Sequence, residues 1–386
     1  MPIVSLPGQL KRLVSQFFSA NYTSNRDRRK ILAIVSYFCY HDGMMSNEEQ
    51  SPSQAWDMVG HDHAINTLRR AISSQRVRHA YLLTGPEHIG KTLLARRFAQ
   101  TLLCTSNLDP TLAPENPCQT CLSCRKVLHN NHPDVHYITR HPDKQFIVID
   151  QVRALQSDTA RKTLEGRRNI FILEGMHETN LQAANCLLKT LEEPEPDVLL
   201  ILTAPDPGLL LATILSRVQQ IPMHLLTTSQ IRQALRERWQ VPAENAALIS
   251  ALAAGRMGWA VQAAEDDDIL RERQAQLETL TRIPSLNTVQ RFDIAQKLSA
   301  ENDKIKGMLE LWLLWWRDLI FAANSCPDLV VNVDMRSLLQ KQATKITPVE
   351  STHMMRAILR TLEALDQNVN TRIALEVLML DVPTLK

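Results

Sequence analysis

The chain has 386 residues, of which 44% are hydrophobic and 22% charged, a composition typical of a globular protein with two or three domains. Its formal net charge of +2 provides no overall attraction to nucleic acid, so any DNA contact would need a local basic patch. No apolar run approaches the roughly 18–20 residues of a membrane helix, and no secretory signal opens the chain. These features predict a cytoplasmic protein with reduced thiols and no membrane partner.

Residues 1–44 differ from the sequence that follows them. They combine a basic cluster between Arg26 and Lys30 with a short apolar stretch, and they end at the pair Met44 and Met45. Such a segment is typical either of a targeting or membrane-surface helix or of a leader translated from an upstream start. Because the domain pattern begins directly after it, we expect a non-core leader, with the true start at Met44 or Met45.

Short apolar runs alternate with helical stretches between Ala55 and about Met223. The runs are bounded by Gly, Pro or charged residues, as expected for central strands of a parallel sheet. They cover residues 80–84, 170–173 and 198–203. After Thr227 only helical patterns appear, with an interruption at Pro284 and Ser285. The sequence therefore predicts an α/β domain over residues 45–226, a small helical domain over 227–284 and an all-helical domain over 285–386.

A phosphate-binding loop follows the first predicted strand and precedes a helical segment over residues 93–103. The motif G-x-x-x-x-G-K-[ST] is complete, and its residues are Gly85, Pro86, Glu87, His88, Ile89, Gly90, Lys91 and Thr92. The strand before it and the helix after it distinguish this loop from a chance match in a glycine turn. We expect backbone N–H groups to hold the phosphates of ATP or ADP, Lys91 to reach the outer phosphates and Thr92 to bind Mg²⁺.

The acidic motif that should follow the next core strand is incomplete. In hydrolysing ATPases of the AAA+ class, which this arrangement resembles, an Asp positions Mg²⁺ and the next residue, a Glu, polarises the attacking water. Here the two positions hold Glu174 and Gly175. Glu174 can still bind a cation, whereas Gly175 cannot act as a base. Because phosphoryl transfer depends on positioning and charge stabilisation, the sequence predicts nucleotide binding with very little hydrolysis.

Four of the seven cysteines lie within residues 104–124, and three of these have C-x-x-C-x-x-C spacing. They are Cys104, Cys118, Cys121 and Cys124. Four soft thiolate ligands predict a structural zinc site, because no coordination position remains for a substrate. A disulfide pair, free cysteines and an iron–sulfur cluster are the alternatives that the ligand type leaves open.

Several strings resemble the ATPase subunits of bacterial sliding-clamp loaders, which belong to DNA polymerase III. The strings cover residues 55–61, 79–83, 185–194 and 214–217, and a four-cysteine module after the phosphate-loop helix is characteristic of the same family. The resemblance implies an AAA+ domain, a helical lid and a helical collar, in a heteromeric ring with gamma/tau and delta subunits, a sliding clamp and primed DNA. It implies that residues 55–61 flank the adenine pocket. It also implies that Arg217 is an arginine finger for a neighbouring subunit's ATP, where a surface salt bridge is the alternative.

Within this family, three features favour the delta-prime type over the ATP-hydrolysing gamma/tau motor. Residues 132–134 and 149–153 resemble the delta-prime sequence, the Asp-Glu pair is lost, and Gly258 stands where the motor carries an arginine that senses the γ-phosphate. The intact phosphate loop points the other way, because many delta-prime subunits have a degenerate one. The motor subunit is therefore an alternative, and a zinc-dependent nucleic-acid adaptor is a second.

Three further expectations concern single positions and the end of the chain. Thr203 is expected to be the polar sensor residue on its strand. Trp312, Trp315 and Trp316 stand next to leucines at helical spacing, which predicts core packing and disfavours base stacking. Residues 368–376 resemble the last collar helix of the family, which implies burial against neighbouring subunits.

Overall fold

The computed structural model describes residues 52–107, 112–141, 144, 146–300, 302–367 and 369–384. The expected leader over residues 1–44, with Met44 and Met45, lies outside the described residues. The described chain forms two compact units. One unit holds residues 52–231 and 255–259, and the other holds residues 232–254 and 260–384.

Five parallel strands form the sheet at the centre of the first unit. They are β1 (Ala80–Thr84), β2 (Val135–Ile138), β3 (Asn169–Leu173), β4 (Val198–Ala204) and β5 (Gln219–Pro222), in the order β2-β3-β4-β1-β5. The three predicted strands are confirmed as β1, β3 and β4, which are buried along their whole length. The strands β2 and β5 were missed. They lie at the two edges of the sheet, are only partly buried and carry polar residues.

The side chains of the sheet alternate between two apolar cores, because successive residues of a strand point to opposite faces. On β1, Tyr81 and Leu83 belong to one core and Leu82 to the other; on β3, Ile172 and Phe171 divide in the same way. Burial on both faces explains why these strands read as continuous apolar runs.

The helices of the first unit cover both faces of the sheet. They are α1 (Pro52–Ala55), α2 (Asp62–Ser73), α3 (Lys91–Leu103), α4 (Leu122–Leu128), α5 (Ile149–Thr159), α6 (Leu181–Glu192) and α7 (Ala212–Leu215). The predicted helix over residues 180–192 is confirmed as α6. It begins there because the side chain of Asn180 accepts a hydrogen bond from the N–H of Ala183, which is unpaired within the helix.

Beyond β5 the described residues contain only helices, as predicted. They are α8 (Thr228–Glu237), α9 (Ala243–Leu252), α10 (Met257–Glu265), α11 (Asp267–Arg282), α12 (Thr288–Leu298), α13 (Asn302–Ala323), α14 (Arg336–Ala343), α15 (Pro348–Asp366) and α16 (Thr371–Asp381). In the part of the chain that the structure describes, no helix is both long enough and apolar enough to span a membrane.

The core of the second unit is built on α13. Its three tryptophans are at most 1% exposed, which confirms the prediction of core packing. Leu277 and Leu280 of α11 belong to the same core. The predicted boundary between residues 284 and 285 therefore divides a packed core, while the division into a lid and a collar stays a prediction.

Candidate functional site

The phosphate loop joins β1 to α3, and its two glycines adopt backbone conformations that disfavour a side chain. Gly85 has φ +149° and Gly90 has φ +110°. A Cβ at Gly85 would lie 2.8 Å from the carbonyl oxygen of Met223. Glycine is thus required at Gly85 both by its conformation and by the close approach of a neighbouring backbone.

Lys91 is held over the start of the loop. Its Nζ donates hydrogen bonds to the carbonyl oxygens of Gly85 and Pro86, at 2.6 and 2.7 Å. The N-cap of α3 is Gly90, which has no side chain to cap the first N–H groups of the helix. An ammonium group and uncapped helix N–H groups at one place form a site suited to the phosphates of a nucleotide.

Glu174 lies beside this loop, at the end of β3. Burial raises the pKa of its carboxyl group, while nearby Arg96 and a hydrogen bond from the side chain of Thr92 act to lower it. The structure therefore brings Thr92 and Glu174 together, as the sequence predicted for a cation site. Hydroxyl and carboxylate oxygens are the ligands that Mg²⁺ prefers, so these two residues fit that ion.

The position after Glu174 has no catalytic side chain. The N–H of Gly175 donates a hydrogen bond to the hydroxyl oxygen of Thr203, at 3.0 Å. Thr203, the predicted sensor residue, is buried at the end of β4. Its hydroxyl oxygen thus binds the backbone of the acidic motif, and Gly175 offers no carboxylate to orient a water molecule.

Arg96 belongs to the surroundings of Glu174 and was missed in the sequence. It lies one helical turn after Thr92 on α3, so both residues are on one face of that helix. Its guanidinium carbon lies 5.2 Å from the centroid of the Tyr137 ring on β2. The spacing of four residues from Thr92 is the signal that could have revealed it.

The four predicted zinc ligands converge on one point. The sulfur atoms of Cys104, Cys118, Cys121 and Cys124 all lie within 4.8 Å of one another. The Cys118–Cys124 and Cys104–Cys121 sulfur pairs are each 4.0 Å apart. A tetrahedral zinc ion about 2.3 Å from each sulfur separates the sulfurs by roughly 3.8 Å, so the cluster fits that ion.

The chemistry of the cluster also suits a metal. All four residues are free thiols, so no disulfide forms within the cluster. Burial raises the pKa of the Cys118 thiol, but hydrogen bonds from Cys121, Thr120 and Cys104 outweigh burial and lower the pKa overall, to about 6. The N–H groups of Cys121 and Cys124 donate to the sulfurs of Cys118 and Cys121, at 3.3 and 3.4 Å. Such donors stabilise thiolates, the form that binds metal.

Arg217 lies just beyond α7 and is partly exposed. Its Nη2 forms an ion pair with Glu192 at 2.6 Å, and its Nη1 donates to the carbonyl oxygen of Thr213 at 2.8 Å. Arg217 therefore forms a surface salt bridge within this chain, which was the alternative to the arginine-finger role. The role of Arg217 towards a neighbouring subunit stays a prediction, as do the ligand assignments above.

The strand order and the position of the loop define the class of protein. The parallel sheet has the strand order β2-β3-β4-β1-β5 and carries a phosphate loop after β1. An acidic residue follows β3, which is separated from β1 by β4. The fold is that of an AAA+ P-loop domain followed by helices, as the sequence predicted.

Comparison with known proteins shows which members of the AAA+ class this chain is similar to. Residues 60–227 match the family described as DNA polymerase III, delta subunit. The chain is 27% identical to DNA polymerase III subunit delta' of Bacillus subtilis, over 82% of this chain and 94% of that protein. It is 39% identical to subunit delta' of Pseudomonas aeruginosa, over 37% of this chain and 42% of that protein. It is also 32% identical to subunit tau of Escherichia coli, over 48% of this chain.

The extent of these matches differs between the two types of relative. The chain spans nearly the whole Bacillus subtilis delta' subunit but only 27% of the Escherichia coli tau subunit. The matches confirm the resemblance to bacterial DNA polymerase III clamp-loader subunits of the delta-prime type.

Proposed function

We propose that this chain is a delta-prime-like subunit of a DNA polymerase III clamp loader. It works in a heteromeric ring with gamma/tau and delta subunits, which loads a sliding clamp onto primed DNA. Within the ring it binds nucleotide but hydrolyses it poorly. The observation that carries the proposal is a formed phosphate loop next to Glu174 and Gly175, a pair that lacks a water-orienting carboxylate.

Nucleotide binding rests on four groups of this chain. Lys91 and the N–H groups at the start of α3 hold the phosphates of ATP or ADP, and Thr92 and Glu174 hold Mg²⁺. When bound, Mg²⁺ supplies positive charge that offsets the charge of the phosphates. Turnover is slow because no base follows Glu174.

Arg217 supplies charge to the ATP site of a neighbouring subunit. The ion pair that holds it now is partly exposed on both sides, with 33% of the Arg217 side chain and 50% of the Glu192 side chain accessible. Exposed pairs of this kind contribute only about 0–1 kcal/mol. Arg217 can therefore exchange Glu192 for a phosphate at little cost.

The cysteine cluster holds a structural zinc ion. All four cysteines are protein ligands, so no coordination position is left for chemistry. Zinc, when bound, fixes the segment between Cys104 and Cys124. Gln100 of α3 anchors that segment as well, because its Nε2 donates to the carbonyl oxygen of Cys124 at 2.8 Å.

The function can be tested with the purified chain. Lys91→Ala should weaken ATP binding at least tenfold, because it removes the cation of the loop, and should leave a negligible ATPase rate unchanged. Nucleotide binding by calorimetry and phosphate release by the single chain measure the two effects. The exposed Lys162 gives a matched control, since Lys162→Ala should alter neither.

A motor subunit of the gamma/tau type is the second candidate. The complete phosphate loop and the 32% identity to the Escherichia coli tau subunit favour it. It requires brisk ATP hydrolysis by the single chain that Lys91→Ala abolishes. That result would replace the delta-prime-like proposal with the motor.

A further inference from the structure

Two consecutive carbonyl groups of the phosphate loop are held from outside by distant parts of the chain. The imidazole Nε2 of His61 lies 3.1 Å from the carbonyl oxygen of Ile89. The backbone N–H of Gly258 donates to the carbonyl oxygen of His88, at 2.7 Å. A carbonyl oxygen can only accept, so Nε2 of His61 carries the proton and is the donor.

These contacts complete a set around the loop. Lys91 already binds the carbonyl oxygens of Gly85 and Pro86, so donors from this chain hold four carbonyl groups of the loop. His88 has φ +59°, a left-handed conformation that is unfavourable for a residue with a side chain. Such a conformation persists only where surrounding contacts enforce it.

Position 258 has no room for a side chain. A Cβ there would lie 2.6 Å from the carbonyl oxygen of His88 and 3.2 Å from its carbonyl carbon. Both are backbone atoms and cannot rotate away. Any residue other than glycine must therefore displace the loop or break the hydrogen bond.

His61 is equally confined. Burial lowers the pKa of its imidazole to about 4, so the ring is neutral near pH 7 and carries a single N–H. The preceding residue, Gly60, has φ +66°, and a Cβ on it would lie 2.4 Å from Leu226. His61 itself has φ +64°, so its backbone is also held in a left-handed conformation.

We propose that His61 and Gly258 are positioning residues for nucleotide binding. They hold the phosphate loop in its phosphate-binding shape before a nucleoside diphosphate or triphosphate arrives, and neither needs to touch the nucleotide. The proposal rests on the proposed nucleotide-binding function. It makes affinity depend on preorganisation, since a loop that is already ordered loses less entropy on binding.

The first test measures the affinity of the full chain for fluorescently labelled ADP. His61→Ala should weaken binding about tenfold, the effect expected for the loss of one hydrogen bond to a buried carbonyl group. His61→Gln should restore much of the affinity, because its amide can still donate. The control is His63→Ala, two residues away and exposed, which should bind as the unaltered chain does.

A second experiment distinguishes an effect on the phosphate loop from an effect on the adenine pocket. Inorganic pyrophosphate has no base, so its competition with labelled ADP reports on the loop alone. His61→Ala should weaken pyrophosphate and ADP by similar factors. A loss confined to ADP would show that His61 acts on adenine and would overturn the proposal.

Gly258→Ala gives an independent test, with a loss of at least tenfold expected. Gly307→Ala is its control, because a Cβ at Gly307 has nothing within 4 Å. Normal ADP affinity in both His61→Ala and Gly258→Ala would overturn the proposal. If Gly258→Ala does not fold, the His61 variants decide the matter.

Hydrogen exchange without nucleotide tests the loop directly. The amides of residues 87–90 should exchange faster in His61→Ala and Gly258→Ala than in the two controls. Unchanged exchange would refute the proposed positioning. If the unaltered chain binds no nucleotide, the proposed function fails, and exchange still shows whether His61 and Gly258 order the loop.

Discussion

Arg217 is the residue that we propose to act on the ATP of a neighbouring subunit. Within the chain it is paired with Glu192 and with the carbonyl oxygen of Thr213. Both partners lie at a partly exposed surface, where such pairs are weak. The proposed contact with a neighbouring subunit would therefore cost this chain little stability.

We expect Arg217→Ala to reduce the ATPase rate of the assembled loader while leaving its assembly intact. Arginine fingers contribute about 10³–10⁵ in rate at one site, and the loss in a ring is smaller because other sites keep their own arginines. Steady-state ATPase of the reconstituted complex measures it. The control is Arg161→Ala, an exposed arginine that forms an ion pair with Asp158. Equal ATPase rates for loaders that contain the two variants would rule out the arginine-finger role of Arg217.

Asp134 is a buried carboxylate of the first unit with three backbone N–H donors. It is 2% exposed and accepts hydrogen bonds from the N–H groups of Leu164, Glu165 and Gly166, at 2.6, 2.8 and 2.5 Å. Burial raises the pKa of its carboxyl group, but these hydrogen bonds outweigh burial and lower it overall. The carboxylate thereby fixes the connection that leads into β3.

Asp134→Asn should reduce the free energy of unfolding by about 2–3 kcal/mol at pH 7, because an amide cannot accept all three bonds. A lowered pKa stabilises the folded state above the ordinary aspartate value of about 3.9, and this contribution is lost as pH falls through the lower, folded value. The difference between the two proteins should therefore shrink below about pH 4. Urea unfolding at several pH values checks this, with exposed Asp267→Asn as the control. A difference that does not depend on pH would argue against the assignment.

At the scale of elements, the cysteine module joins α3 to α4. Cys104 directly follows α3 and Cys121 directly precedes α4, so a metal ion would tie the two helices together. Cys124→Ser should lower the zinc content from one ion per chain and destabilise the fold by more than about 2 kcal/mol. Metal analysis and thermal unfolding measure both, with Cys186→Ser as the control because Cys186 lies outside the cluster. A chain that is equally stable with and without zinc would contradict a structural site.

The last helix, α16, has apolar residues on an exposed face as well as on its buried face. One face is packed into the core, whereas Ile373, Val377 and Leu380 on the other face are 55%, 57% and 61% exposed. Their spacing of four and three residues places them in one apolar stripe. An exposed stripe of this kind is suited to contact with another protein.

Val377→Asp should therefore weaken assembly with the other loader subunits at least tenfold, with little effect on the isolated chain. Size-exclusion chromatography of the mixed subunits and the unfolding temperature of the single chain measure the two effects. Val349→Asp is the matched control, because Val349 is a similarly exposed valine on α15. Assembly that tolerates Val377→Asp would exclude this face from the ring contact.

The parts of the fold that the sequence predicted are those fixed by local pattern. The strands β1, β3 and β4 are buried on both faces, so they read as apolar runs. The edge strands do not: β2 contains His136, and β5 has two glutamines and ends at Pro222. An edge strand needs burial on one side only, and proline is tolerated there because no ladder partner needs its N–H.

The candidate site divides in the same way. The phosphate loop and the cysteine spacing are contiguous motifs, so their residues could be named from the sequence. The loop is contacted by the imidazole of His61 and by the backbone N–H of Gly258, two residues that lie far from each other in the chain. No spacing rule connects such positions, and only the folded chain reveals them.

At the scale of the whole molecule, the charge balance limits contact with DNA. A net charge of +2 leaves little electrostatic attraction to a polyanion. We expect the isolated chain to bind primed DNA weakly, with a shallow dependence of the binding constant on salt, in contrast to a nucleic-acid adaptor. Fluorescence anisotropy at several salt concentrations measures it, and the assembled loader is the positive control. Tight binding with a steep salt dependence would favour the adaptor.

The close approach of Gly258 to the phosphate loop also bears on how such a chain can change over generations. Under the proposed function, conversion to a hydrolysing motor would need a carboxylate at position 175 and an arginine at position 258. The second substitution meets the backbone of His88 as soon as a Cβ is present. By the proposal above, an intermediate with that single replacement would bind nucleotide more weakly before it gained a sensor. Under the proposed function, steric exclusion at position 258 would therefore act against conversion to a motor by single substitutions.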